Sequence, residues 1–272
     1  MVAHVRGLAS ERWPALAVDP WALALGGEDG ASWAQDYERA HPHMVLYMAV
    51  RTAAFDDEVR RAIEDGATQV VILGAGLDTR AARLASRGVR FFEVDREDTQ
   101  REKRARLGAL AGYRVDAATY VTCDFERERF LDRLVGAGFA REARTVIVWE
   151  GVVYYLTEEA IRATLRAIAT GCEVGSRVAM DLVGKRFVSG AIDDAASTRA
   201  RELVAEMGEP LRFGTDDVLP LLYEEGFRHV ETTRFDELCL TYTGTYERER
   251  KMRFQSLAVA SVAPPPRPGA RS

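Results

Sequence analysis

The stretch TQVVILGAGLDTRAAR, residues 68–83, decides the fold. A run of β-formers enters a Gly-Ala-Gly turn at Gly74, Ala75 and Gly76 and passes directly into an amphipathic segment. In an open α/β sheet, the first strand–helix turn lies at the carboxyl edge beside the point where strand order reverses. Ligands bind there. Gly74 and Gly76 permit backbone angles and a close ligand approach that a Cβ would block. On its own the turn also fits an ordinary tight connection, so the rest of the chain must say what it serves.

Outward from this turn the sequence alternates short β-branched runs with helical patterns. Residues 69–74 (QVVILG), 89–95 (VRFFEVD), 118–124 (ATYVTCD), 144–150 (RTVIVWE) and 176–183 (SRVAMDLV) read as strands. Their nearly continuous apolar runs suit a sheet covered on both faces. Helical stretches begin near Asp78, Arg96, Glu126 and Thr157. Thr157 is followed by Glu158 and Glu159, a capped start with acids at the positive dipole end. This alternation predicts a doubly wound, mostly parallel seven-stranded α/β sheet. HVETTRF (229–235) and RFQSLAVASVA (253–263) complete it, the last antiparallel because no helix precedes it. Residues 1–65 read as an N-terminal helical cap with Tyr47, Val50, Ala54 and Val59 on its apolar face. Residues 66–263 form the core, with a helical lid insertion at about 184–214, and 264–272 read as a disordered tail rich in proline.

Composition narrows the class. No window of 18 uninterrupted apolar residues exists, so no membrane span is expected. A net charge of −5 argues against a nucleic-acid partner. Cys123, Cys172 and Cys239 stand far apart, in no metal-ligand spacing, and read as buried thiols of a cytoplasmic protein. Glu11, Arg12 and Asp19 interrupt anything resembling a secretory signal.

The strand ends carry the chemistry. A dinucleotide fingerprint needs a third glycine where this chain has Thr79, and it seats a pyrophosphate where this chain has Asp78. An acid there disfavours phosphate, although Asp78 also suits a cap or first-turn acid of the next helix. Asp95, nineteen residues after Gly76, can accept both hydroxyl protons of a ribose, with Glu93 on the same face as the runner-up. Asp124 can accept from an exocyclic adenine amine while Phe125 packs on the base. Glu150 closes the fourth strand, and Gly151 allows a sharp departure. Together these ends describe a pocket for a nucleoside bearing an ammonium and a sulfonium but no phosphate. S-adenosyl-L-methionine is that molecule.

With these residues in view, the chain resembles the leucine carboxyl methyltransferase family. The similarity rests on DPWALALGG (19–27), YMAVRTAAFDDEV (47–59), VVILGAGLDTRAARL (70–84), FFEVDREDTQREKRARL (91–107), CDF (123–125) and EGVVYYLT (150–157). The resemblance implies that Arg51 clamps the methionine carboxylate and Gly74 lets the backbone approach the cofactor. It further implies that Asp95 holds the ribose, Asp124 and Phe125 the adenine, and that Glu150 sits near the ammonium. The family's eukaryotic members set an N-terminal lysine against the cofactor carboxylate. The first lysine here is Lys103, leaving Arg6 or Arg12 as substitutes.

The expected activity is methyl transfer by in-line displacement onto an oxygen of a small-molecule or peptide acceptor, in the manner of bacterial natural-product enzymes. A carboxylate is already ionised at neutral pH and needs no general base, whereas a phenol would usually want one. Carboxyl esterification is therefore favoured over phenolic methylation. No catalytic base is assigned. Tyr154, Tyr155 and His43 are the acceptor-side candidates, with His41 beside them and Arg186 able to pair with an acceptor carboxylate. Two other classes compete. A nicotinamide oxidoreductase leaves Asp78, Thr79 and Asp124 unexplained, and a catalytically inactive scaffold on the same fold would bind cofactor without transfer.

Overall fold

The computed structural model describes residues 1–192, 194–245 and 253–264. Three helices lead: α1 (Val2–Arg12), α2 (Ala22–Ala40), broken at Gly27, and α3 (Met44–Glu64). Then follow β1 (Gln69–Leu73), α4 (Arg80–Arg83), β2 (Arg90–Asp95), α5 (Glu97–Leu107), β3 (Ala118–Thr122), α6 (Phe130–Gly136), β4 (Thr145–Trp149), α7 (Glu158–Gly171) and β5 (Arg177–Val183). The chain ends with α8 (Lys185–Val188), α9 (Ala195–Glu206), α10 (Leu219–Glu224), β6 (Phe227–Arg234), α11 (Phe235–Thr243) and β7 (Gln255–Val262). Residues 265–272, where most of the expected disordered tail falls, lie outside the described residues.

The strands form one seven-stranded sheet in the order β3-β2-β1-β4-β5-β7-β6. β1 to β5 run parallel, and β7 enters antiparallel between β5 and β6. The doubly wound α/β expectation is met. Strand order reverses between β1 and β4, which sets the glycine turn and Glu150 side by side at the carboxyl rim. Every residue of β1 and β4 is buried, as their continuous apolar runs require. Their two polar members satisfy each other, Gln69 Nε2 donating to Thr145 Oγ1 at 3.1 Å.

Two apolar cores flank the sheet. One packs α3 and α11 against β1 and β4, and the other packs α6, α7 and α10 against the opposite face. α3 is buried on nearly all sides, Tyr47, Val50, Ala54 and Val59 included. It lies between the sheet and the helices α1 and α11. Each buried valine, leucine or phenylalanine there contributes about 1.5–3 kcal/mol. α7 starts as its sequence demands: Thr157 Oγ1 accepts from Ala160 N at 3.3 Å, with Glu158 and Glu159 in the first turn.

Two helices start later than expected. α4 is a single turn whose Arg80 and Arg83 side chains point into the protein. α6 begins at Phe130 because Asp124 organises a turn first, its Oδ1 accepting from Glu126 N at 3.0 Å. The insertion after β5 is tied down by its trailing strap. Arg212 N donates to Tyr154 O at 2.8 Å and Thr215 N to Val183 O at 2.9 Å. Cys123 and Cys239 are buried, whereas Cys172 is half-buried at the end of α7. Among the described residues, no helix is long and apolar enough to cross a membrane.

Candidate functional site

The glycine turn is held by its strand neighbours. Gly74 N and Ala75 N both donate to Val94 O, at 2.8 and 3.2 Å. Gly74 has φ 64° and Gly76 φ 45°, in the left-handed region that favours glycine. A Cβ on Gly74 would collide with Val152 Cγ2, so this glycine also admits the segment leaving β4. Gly76 N donates to Asp95 Oδ2 at 2.6 Å, locking the turn onto the tip of β2.

Asp95 is half-buried at that tip, its Oδ1 accepting from Arg96 N at 2.7 Å. Burial pushes its carboxyl above the usual range against the pull of the Gly76 and Arg96 amides. Glu93 does not share this position. It is fully buried, with Lys103 Nζ 2.5 Å from its Oε2, so the runner-up for the ribose is spent on a structural ion pair. Asp124 stands at the end of β3 with a side chain 41% exposed. Phe125 is half-buried, 6.3 Å from the Phe130 ring and packed on the core.

Beyond β4 an alternating row of buried charges begins. Arg51 Nε lies 2.8 Å from Glu150 Oε1, and Arg80 Nη2 lies 2.6 Å from Glu150 Oε2. Arg51 Nη1 reaches Asp181 Oδ2 at 3.4 Å, and Arg80 Nε reaches Asp56 Oδ1 at 2.7 Å. Arg80 Nη1 pairs with Asp78, and Arg83 pairs with Asp56. The row ends at the N-terminal helix, where Arg6 Nε lies 2.6 Å from Asp19 Oδ2 and Arg6 Nη2 donates to Leu77 O at 2.6 Å. Thr79 Oγ1 also donates to Asp19, at 2.6 Å.

This row revises the reading of Asp78 as a charge that repels phosphate. Burial would raise its carboxyl, but Arg80, with Arg6, Lys103 and Arg83, holds it far below the ordinary range. Its charge is neutralised by Arg80, and its Oδ1 accepts Arg80 N at 2.6 Å as a first-turn acid would. Of the two N-terminal candidates, Arg6 is buried against the glycine loop. Arg12 pairs with Glu38 at the surface.

The acceptor-side residues divide. Tyr154 is buried, with its hydroxyl 3.5 Å from Asp181 Oδ2, while Tyr155 is half-buried. Both pack with Phe187 and Val188 of the insertion and with Tyr37 of α2. Burial lifts the Tyr37 hydroxyl to about 12 and those of Tyr154 and Tyr155 well above their usual value. His41 is buried and stacked on Tyr37 with ring centres 5.6 Å apart, and His43 is half-buried at the start of α3. Arg186 is exposed, its Nη2 donating to Ala191 O at 3.5 Å. A cleft of about 620 Å³ bordered by Pro14, Trp21, Asp56, Arg83 and Tyr242 touches the far end of the charged row but none of the rim residues.

Asp181, Arg80, Asp56 and Tyr37 were not singled out in the sequence. Asp181 had a signal, as an acid inside the buried strand RVAMDLV. Arg80 and Asp56 sit within the motifs GAGLDTR and AAFDDEV, where a surface helix face explained them equally well.

An adenosyl amino acid fits this rim. Arg51 Nε and Glu150 Oε2 are buried without an aligned hydrogen bond, although each faces an opposite charge, Glu150 Oε1 and Arg80 Nη2 respectively. Among the described residues, Arg51 Nη2 meets only Met48 Sδ, at 3.5 Å. Both groups are already ion-paired within the row, and what they offer an amino-acid end is the Nη2 edge of Arg51 for a carboxylate and the remaining lone pairs of Glu150 for an ammonium.

Comparison with known proteins agrees. The family model described as leucine carboxyl methyltransferase matches residues 1–169. A Streptomyces coelicolor protein, whose name assigns it to the S-adenosyl-L-methionine-dependent methyltransferases, is 34% identical over 210 residues, covering 72% of this chain and 74% of its own. Among solved structures, a DUF574 family protein from Streptomyces avermitilis superposes with a TM-score of 0.66 at 16% identity, over 97% of both chains. The Synechocystis magnesium protoporphyrin IX methyltransferase, solved with bound S-adenosylhomocysteine, gives 0.50 at 13% identity over 88% of this chain and 96% of that one. With the family model spanning more than half its length, this chain belongs to the leucine carboxyl methyltransferase family.

Proposed function

We propose that this S-adenosylmethionine-dependent methyltransferase forms a methyl ester on a carboxylate of a small natural product or peptide end. The observation that carries the acceptor choice is the state of the acceptor-side hydroxyls. Burial raises the hydroxyls of Tyr37, Tyr154 and Tyr155 further above their usual value, which opposes their ionising to serve as a base. Such a wall suits an acceptor that arrives already ionised.

When bound, S-adenosylmethionine supplies an electrophilic methyl on a sulfonium. The chain's own task is to bind, align and keep out water. In this reading Arg51 takes the cofactor carboxylate and Glu150 its ammonium. Asp95 accepts from the ribose, and Asp124 with Phe125 borders the adenine. Gly74, Ala75 and Gly76 bring backbone close to the sulfonium end, and Arg6 supports that loop from behind. Tyr155 faces the acceptor, and Tyr154 supports it from the core.

A phenolic acceptor is the second reading, favoured by one observation: His41 lies buried on the acceptor side against Tyr37, where an imidazole could act as base. The two part cleanly in the product. With methyl-labelled cofactor and an extract of small acids and phenols, esterification predicts label released as methanol in mild alkali. Label that survives alkali identifies an ether and overturns the carboxyl reading. A protein that binds cofactor but labels nothing supports the scaffold alternative.

A further inference from the structure

Asp181 is 1% exposed near the end of β5, and one carboxylate serves three partners there. Its Oδ1 accepts from Gly151 N at 2.6 Å, while Oδ2 lies 3.4 Å from Arg51 Nη1 and 3.5 Å from the Tyr154 hydroxyl. Left to a single carboxylate, a guanidinium closes into a bidentate fork, the strongest form of the pair. Here Arg51 is stretched between two acids, Nε on Glu150 and Nη1 on Asp181. No fork closes, and among the described residues Nη2 keeps only the Met48 thioether. Glu150 is stretched in the same way between Arg51 and Arg80.

We propose that Asp181 is a positioning residue for cofactor binding: by drawing Nη1 away, it holds Arg51 to a single-point contact with Glu150 and stops it closing a bidentate fork there. That keeps the Nη2 edge open for the ligand carboxylate and leaves Glu150, held by Arg51 and Arg80 through one contact each, with lone pairs to receive the ammonium. The inference rests on the reading that Arg51 and Glu150 receive the amino-acid end of the cofactor. Loss of the Asp181 charge also removes a like charge from the path of the arriving carboxylate, which acts in the opposite direction. The fork outweighs it, because a closed Arg51–Glu150 pair in a dry site must be broken before either group can bind ligand.

Isothermal titration of the full chain with S-adenosylhomocysteine and with 5′-methylthioadenosine separates these effects, because the second ligand keeps the nucleoside and thioether but lacks the amino acid. Asp181→Asn retains an acceptor for Gly151 N and removes the charge. It should weaken S-adenosylhomocysteine by about tenfold while leaving 5′-methylthioadenosine within about twofold. Unchanged or tighter binding of S-adenosylhomocysteine overturns the proposal, as does equal loss of both ligands. Arg51→Ala serves as the control on the underlying reading. Selective loss in Arg51→Ala but not in Asp181→Asn defeats only the role of Asp181. No loss in Arg51→Ala defeats both.

Discussion

Glu93 and Asp95 stand two residues apart on β2, and their environments give them different work. Asp95 meets two backbone amides at the rim and retains lone pairs for a ligand. Asp95→Asn should therefore weaken S-adenosylhomocysteine by roughly 10- to 100-fold in a calorimetric titration, the cost of a charged acceptor lost. Normal binding would remove Asp95 from the ribose site. Glu93 is sealed against Lys103, and burial pushes its carboxyl up to about 7 despite that lysine. The folded value exceeds the unfolded one. Its contribution to stability is therefore full below the ordinary carboxylate range and fades as pH rises through about 7. Relative to Glu93→Gln, the native chain should lose stability between pH 5 and pH 8, by at most about 3 kcal/mol in urea titrations. A pH-independent difference contradicts this. At this scale the sequence was only half legible. It showed Asp78, Glu93 and Asp95 as acids at strand tips but not which arginine or lysine each faces. Arg6 and Asp78 are brought together by folding, not by spacing.

Among elements, α1 acts as a clamp on the glycine loop, through Arg6 to Asp19 and to Leu77 O. Arg6→Ala leaves Asp19 buried with weaker partners and should cost about 3 kcal/mol of stability. Arg12→Ala on the same helix, whose pair with Glu38 is solvent-exposed, should cost less than about 1 kcal/mol. Similar costs for the two would deny α1 its clamping role. The glycine turn offers a second test. Gly74→Ala forces a Cβ into both a left-handed backbone and Val152. It should lower both the melting temperature and cofactor affinity, and adding Val152→Ala should restore only the steric part. The strands were the most legible part of the chain, because continuous apolar runs specify burial on both faces whatever the tertiary context. Short α4 and late-starting α6 were not. Their limits follow from Arg80 reaching Asp78 and from the Asp124 turn, contacts that helical periodicity does not encode.

At the scale of the whole molecule, the strand order gathers residues from distant parts of the sequence around one rim. β1 beside β4 puts Gly74 near Val152. α3 brings Arg51 to Glu150, and β5 adds Asp181 from 130 residues away. The doubly wound architecture was readable from alternation alone, whereas the row of charges that α3, α4 and β5 build together was not. The row explains how Arg51 and Glu150 can be buried together: each pairs with the other and with one further charge, Asp181 for Arg51 and Arg80 for Glu150. The most direct measurement is a crystal structure of the protein with S-adenosylhomocysteine. The account predicts its carboxylate on Arg51 Nη2, its ammonium at Glu150 and its ribose on Asp95. A ligand lodged away from this rim, or one at the rim with Arg51 still engaged only by Glu150 and Asp181, would contradict it.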